Sequence, residues 1–164
     1  MTILNRRKFL ATVAATSAAL SAPMVMAQGR PKVIVIGGGA GGATAARYIA
    51  KDSNGAIDVT LIEPTRQYYT CFFSNLYIGG FWDYENLGHS YGTLAGEYGI
   101  NVVHDWAIGV DRDAKTVSLA GGHTLPYDRL IIAPGIDFVE GSVPGWDVSS
   151  QNKMPHAYKA GSQS

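Results

Sequence analysis

Hydrophobic and polar positions follow three different periods along the chain, and each period predicts an element. Val33, Ile34, Val35 and Ile36 are a continuous β-branched run, the pattern of a short parallel strand covered on both faces. Glycines follow at 37, 38, 39, 41 and 42, and residues 43–51 are good helix formers in which only Thr44 and Ile49 are branched. The tripeptide "SNG" at 53–55 ends that helix, and "IDVTLIE" at 57–63 predicts a second strand. Further on, Tyr84, Leu87, Tyr91, Leu94, Ala95 and Tyr98 share one helical face. Gly99 stands where a helix C-terminus favours a left-handed residue. Gly88, Gly92 and Gly96 share another face of that helix, each costing about 1 kcal/mol relative to alanine, which predicts close backbone contact there. A membrane-dimerisation reading of their spacing fails because the segment is too polar. "INVVHD" at 100–105 predicts a third strand. Alternating apolar residues over 107–128, with turn signals at 111–114 and 121–122, predict an antiparallel meander. Residues 130–133 form a last buried strand, stopped by Pro134 and Gly135. Beyond them the chain is polar and turn-rich, with no further strand or helix. The order predicts an α/β fold: a Rossmann-like domain whose parallel sheet carries a β-meander.

With 164 residues, 46% hydrophobic and 16% charged, the chain has the composition and size of one globular domain. Its N-terminus changes the charge picture. "NRRKFL" at 5–10 is a twin-arginine cluster leading into the alanine-rich, uncharged "ATVAATSAALSAPMV", and "VMA" at 25–27 places small residues at a cleavage position. That is a basic region, an apolar region and a cleavage site, the layout of a secretory signal over residues 1–27, with the domain at 28–164. The apolar run is shorter than the ~20 residues of a bilayer span, and no other stretch predicts a membrane span. Removing Arg6, Arg7 and Lys8 from the 13 basic residues leaves ten against 13 acidic ones. The mature chain is thus mildly acidic and lacks the basic patch that nucleic-acid binding needs. The expectation is export to the periplasm by the twin-arginine machinery, a route that resembles the one used for proteins folded around a cofactor before export.

Gly37, Gly39 and Gly42 satisfy G-x-G-x-x-G, and the context gives the pattern weight. It follows a predicted strand, opens a helix, and is followed 21 positions later by Glu63 at a strand end. These are the conditions of a dinucleotide fingerprint. The first glycine makes the turn, the second lets a pyrophosphate approach the backbone, and the third lets helix and strand pack closely. The helix N-terminus stabilises phosphate charge. Glu63 is placed to accept hydrogen bonds from ribose hydroxyls and would repel a 2′-phosphate, which argues against NADP.

The meander followed by "LPYDRLIIAPG" resembles the second signature of the two-dinucleotide-binding flavoproteins, in which a Tyr-Asp-x-apolar strand ends in Ala-x-Gly beside the flavin nucleotide. Tyr127, Asp128, Leu130, Ile131, Ile132, Ala133 and Gly135 match it, with Pro134 where threonine is commoner. This favours FAD over NAD. The only cysteine, Cys71, lies eight residues past Glu63 in "QYYTCFFSN". Eight extended residues reach at most about 26–29 Å, so the segment can run from the adenosine end of a cofactor towards a flavin ring. Over residues 32–164 the chain resembles the flavoprotein subunits of the flavocytochrome c sulfide dehydrogenase family, most specifically in Tyr-Tyr-Thr-Cys at that distance from the fingerprint. The resemblance implies a thioether from Cys71 to the 8α-methyl carbon of FAD, with Tyr68, Tyr69, Phe72 and Phe73 shielding or stacking near the ring. The alternative for Cys71 is a buried free thiol. The cofactor-binding set so implied is Gly37, Gly38, Gly39, Ala40, Gly41, Gly42, Glu63, Pro64, Cys71, Ala107, Ala133, Pro134 and Gly135.

The resemblance also implies sulfide as substrate and a c-type cytochrome subunit as electron acceptor. The family's redox disulfide has no counterpart in a chain with one cysteine, so its cysteines, and with them the catalytic residues, are expected beyond residue 164. The FAD-binding domain is accordingly expected to be incomplete at its C-terminus, which would leave an apolar sheet edge unpaired. His89, His104, His123 and His156 show no metal-ligand spacing and are expected to be structural or superficial. No Cys-x-x-Cys-His is present, so the chain itself is not expected to carry c-type haem. A sulfide:quinone or NADH-dependent oxidoreductase of the same superfamily, or a truncated flavin-binding remnant without catalysis, are the other readings.

Overall fold

The computed structural model describes residues 29–137, 139, 141–150 and 153. The expected signal segment, residues 1–27, and His156 lie outside the described residues. Four parallel strands form the central sheet in the order β5-β2-β1-β9. They are β1 (Lys32–Ile36), β2 (Asp58–Ile62), β5 (Asn101–Val103) and β9 (Arg129–Ile132). Strand β1 is flanked on both sides, by β2 from Lys32↔Asp58 to Ile36↔Ile62 and by β9 from Val33↔Arg129 to Ile36↔Ile132. Its alternate side chains therefore enter two different cores. Val33 and Val35 face a cluster with Ala46 and Ala50 of helix α1 (Ala40–Asp52), together with Val59, Leu61, Tyr91 and Ile100. Ile34 joins Ile62, Val117 and Leu119 on the opposite face.

That second face is covered by the predicted meander, β6 (Ala107–Asp111), β7 (Thr116–Leu119) and β8 (Thr124–Pro126), paired in sequence order. Its turns use the residues expected of them. Asp111 Oδ1 accepts hydrogen bonds from the N–H groups of Asp113 and Ala114 at 3.0 and 2.8 Å, and Gly122 takes a φ of +87°. Asp128 explains part of the Tyr-Asp signature structurally: its carboxylate accepts the Lys32 N–H at 2.7 Å and so ties the start of β9 to the start of β1. Strands β5 and β9 are the sheet edges, and Ile132 on β9 is 64% exposed.

Three expectations are corrected. Helix α1 begins at Ala40 rather than residue 43, with Gly39 extended before it, so Gly41 and Gly42 belong to the first turn of the helix. The single helix expected over 84–98 does not form. A 3-10 turn (Tyr84–Leu87) leads into strand β4 (Gly88–Ser90), and only Gly92–Tyr98 is helical. Strand β4 pairs antiparallel with β3 (Gln67–Tyr69), and the Thr70 N–H donates to the Leu87 carbonyl at 2.9 Å. Three glycines at four-residue spacing weaken a helix by roughly 3 kcal/mol in all, and the strand pairing prevails. Of the close contacts expected at Gly88, Gly92 and Gly96 only the first is found: a Cβ at Gly88 would fall on the Gln67 side chain and lie 3.2 Å from the Tyr69 ring, whereas one at Gly96 would meet nothing within 4 Å, and one at Gly92 only Ser90 Oγ at 3.7 Å. Leu87 and Tyr91 of that apolar pattern are nevertheless buried. The pattern marked those two buried positions but also included Ala95, which is exposed, and it placed the start of the helix too early.

Candidate dinucleotide site

The glycine turn sits where β1 ends, enclosed from three sides. Gly37 has a φ of +97°, and a Cβ there would run into the Ala133 carbonyl and lie 3.1 Å from Pro134 Cα. The Ala133 N–H in turn donates to the Ile36 carbonyl at 2.8 Å. The Ala-Pro-Gly end of the second signature is thereby seated on the first glycine of the fingerprint, and Gly135 follows with a φ of +79°. A Cβ at Gly42 would strike the Gly37 carbonyl and lie 3.3 Å from Val35 Cγ1, which is the close helix–strand approach expected of the third glycine. At Gly39 a Cβ would meet only the Tyr68 ring, at 3.6 Å. The space beside the second glycine is open on its other sides, as a backbone that approaches a pyrophosphate requires. The first-turn N–H groups of α1 have no intrahelical acceptor, and no acidic residue stands in that turn.

Glu63, just past the end of β2, reaches this turn. Its Oε2 accepts the Gly38 N–H at 2.8 Å, and its Oε1 accepts the N–H and hydroxyl of Thr65 at 2.9 and 2.7 Å. Two carboxylate oxygens offer about four lone-pair directions, so these three bonds leave acceptor capacity for a ribose hydroxyl. Pro64 follows it, half-buried. His104 closes the floor, with Nδ1 3.1 Å from the Glu63 carbonyl oxygen.

Tyr91, which the sequence reading placed only on an apolar face, is part of this site. It is 5% exposed, and its hydroxyl donates to the Gly38 carbonyl at 3.1 Å. Burial, followed by the negative charge of Glu63, pushes its phenol up to about 12, while Thr65 acts in the opposite sense and Tyr68 adds to the rise. An unfolded tyrosine titrates near 10. Between those values the folded chain keeps a proton that the unfolded chain releases, so this contribution is complete below pH ~10 and is lost as pH rises towards 12. We expect urea midpoints to fall more steeply from pH 9.5 to 12 in the native protein than in Tyr91→Phe, the difference between the two curves isolating Tyr91 from other groups that titrate there.

A cleft of about 260 Å³ runs from Gly38, Gly39 and Ala40 along α1 to Arg47, with Tyr68, His89, Ser90 and Tyr91 on its other wall. It is somewhat below the roughly 300–1,000 Å³ of whole-ligand pockets, which suits one segment of an extended ligand. The residues present thus fit a dinucleotide. Cys71 lies just past β3 and is exposed, so the buried-thiol alternative does not describe it. Tyr68, three residues earlier, joins its segment to the glycine turn, and Tyr69 stacks on Tyr84 at 4.6 Å between ring centroids. Phe72 and Phe73 are 58% and 62% exposed. Ala107 opens β6 on the meander side and packs against the Ile34–Ile62 core, away from the contacts that unite the turn, Glu63 and Ala133.

Residues 31–160 match the family model described as "Pyridine nucleotide-disulphide oxidoreductase". The chain belongs to that family. Among curated relatives, the sulfide-quinone reductase of Aquifex aeolicus (strain VF5) is 32% identical over 112 residues, covering 67% of this chain and 25% of its own. The flavoprotein chain of the flavocytochrome c sulfide dehydrogenase of Chlorobaculum thiosulfatiphilum is 49% identical over 47 residues, covering 29% of this chain and 96% of that sequence. The X-ray structure of the sulfide:quinone oxidoreductase from Aquifex aeolicus superposes with a TM-score of 0.61 at 29% identity, over 68% of this chain and 27% of that one. The chain thus spans about a quarter of the length of the first of these relatives. The α/β architecture expected from the hydrophobic pattern is the one observed. Among the described residues, no helix is long and apolar enough to cross a membrane.

Proposed function

We propose that this chain is the FAD-holding part of a periplasmic sulfide dehydrogenase, exported by the twin-arginine route, that passes electrons from sulfide to a c-type cytochrome. The observation that carries the reading is the closure of two distant signatures on one turn: Gly37 against Ala133 and Pro134, with Glu63 on Gly38. Similarity to the flavocytochrome c flavoprotein chain supports the sulfide and cytochrome assignments.

When bound, FAD accepts electrons pairwise and releases them singly, and the protein supplies binding and electrostatics. In this chain the N-terminus of α1 holds the diphosphate charge. Glu63 fixes the ribose, and Gly39 keeps the backbone approach clear. Ala133, Pro134 and Gly135 border the far side of the turn. Pro64 follows Glu63 at the ribose-binding corner, and Cys71 anchors the flavin covalently.

The test is to add sulfide to the purified, flavin-loaded full-length protein, including the cysteines expected beyond residue 164, and follow loss of the visible flavin band, then offer a c-type cytochrome or a quinone. Sulfide bleaching followed by cytochrome reduction is the expected result. Reoxidation by quinone alone would move the assignment to sulfide:quinone oxidoreduction, the second reading, favoured by 32% identity over 67% of the chain. A flavin that ignores sulfide overturns both.

A further inference from the structure

We propose that Tyr91 is a positioning residue of the dinucleotide turn, which orients the Gly39 N–H towards the ligand and makes glycine obligatory at position 38. The inference rests on the reading of this turn as the FAD site and adds a residue to it.

Two consecutive peptide groups meet at Gly38, and each is held by a different side chain. The group between Gly37 and Gly38 gives its N–H to Glu63 Oε2 at 2.8 Å. The group between Gly38 and Gly39 receives the Tyr91 hydroxyl on its carbonyl at 3.1 Å, from a residue 53 positions away. A trans peptide is planar, so its carbonyl and N–H point in opposite directions. With the carbonyl turned in towards Tyr91, the Gly39 N–H is turned away from it. An N–H at the second glycine of such a turn is a donor for a pyrophosphate oxygen. Tyr91 also sets the side-chain limit at position 38: a Cβ there would lie 2.6 Å from its oxygen and 2.7 Å from two ring carbons. The ring has little room to retreat. It is 5% exposed, belongs to the Val33–Leu61 core cluster, and has the His104 ring 5.9 Å from its own. The middle glycine of "GGG", Gly38, is explained by that ring rather than by the dinucleotide pattern, which leaves the position unspecified.

The experiment uses full-length Cys71→Ser protein freed of flavin, titrated calorimetrically with FAD and with ADP. Tyr91→Phe keeps the ring and removes one hydrogen bond. It is expected to weaken both ligands about two- to tenfold, and to shift the amide resonances of Gly38 and Gly39 while those of the meander stay in place. Gly38→Ala is expected to abolish ADP binding in the Tyr91 protein. In Tyr91→Ala, where the obstructing ring is gone, adding Gly38→Ala should cost less than threefold more. Unchanged ADP affinity in Tyr91→Phe, or a Gly38→Ala penalty equal in both backgrounds, overturns the proposal while the FAD reading stands. A Cys71→Ser protein that takes up neither FAD nor ADP overturns both.

Discussion

Replacing Cys71 with serine is expected to convert the flavin from one that stays with the chain through acid denaturation into one that washes away. The local structure makes this substitution unusually clean. The backbone on either side of Cys71 is pinned by other groups: the Thr70 N–H donates to the Leu87 carbonyl at 2.9 Å, and the Phe72 N–H donates to Thr70 Oγ1 at 3.1 Å. Ser74 closes the turn, its hydroxyl donating to the Cys71 carbonyl at 2.9 Å. The thiol itself is exposed, so serine leaves little burial to lose there. Exposed substitutions of this kind usually change stability by less than about 0.5 kcal/mol. A large change in flavin retention would therefore report on the sulfur alone. The measurement is the visible absorbance of supernatant and pellet after acid precipitation of the native and Cys71→Ser proteins, both loaded with FAD. Colour in the pellet for the native chain and in the supernatant for the variant is the expected pair. Colour in the supernatant for both would leave FAD binding possible and remove the thioether.

How far this site could be read from the sequence depends on how local each contact is. The strand–turn–helix–strand unit was legible because its glycines carry both the turn and the packing within six residues, and the structure gives Gly37 and Gly42 those roles. The pairing of Ala133 with Gly37 spans almost a hundred residues, yet it could be anticipated from a second signature of known character. Tyr91 had no such signal. Its partner is a backbone carbonyl on another element, and by spacing alone it belongs to an amphipathic helix that does not exist. The β3–β4 pair was missed for a related reason. Each strand has three residues, too few for alternation to show, and their stability comes from each other and from the stacked Tyr69 and Tyr84. One clue was available in retrospect: helix-weakening glycines at 88, 92 and 96 argued against a continuous helix as strongly as the apolar face argued for it.

Two glycines four positions apart should respond in opposite directions to the same added methyl group. Gly41→Ala places a Cβ with nothing within 4 Å, inside helix α1, where alanine is favoured over glycine by about 0.5–1 kcal/mol. That variant is expected to be slightly more stable than the native protein. At Gly37 the methyl group meets two penalties. The backbone stands at a φ of +97°, a conformation that costs an L-residue roughly 1–2 kcal/mol. The Cβ also falls on the Ala133 carbonyl and near Pro134 Cα, backbone atoms that cannot rotate aside as a side chain would, and overpacking of this kind costs about 1–3 kcal/mol. The sum, about 3 kcal/mol, is a large share of the 5–15 kcal/mol that holds a typical domain. Relief requires β1 and β9 to separate at their C-terminal ends, where Ala133 donates to Ile36, and that separation opens the turn itself. Gly37→Ala is therefore expected to lose FAD uptake together with stability, measured as flavin content per chain and as the urea midpoint. Native-like values of both would show that the Ala133 carbonyl yields easily, and that the second signature does not clamp the first.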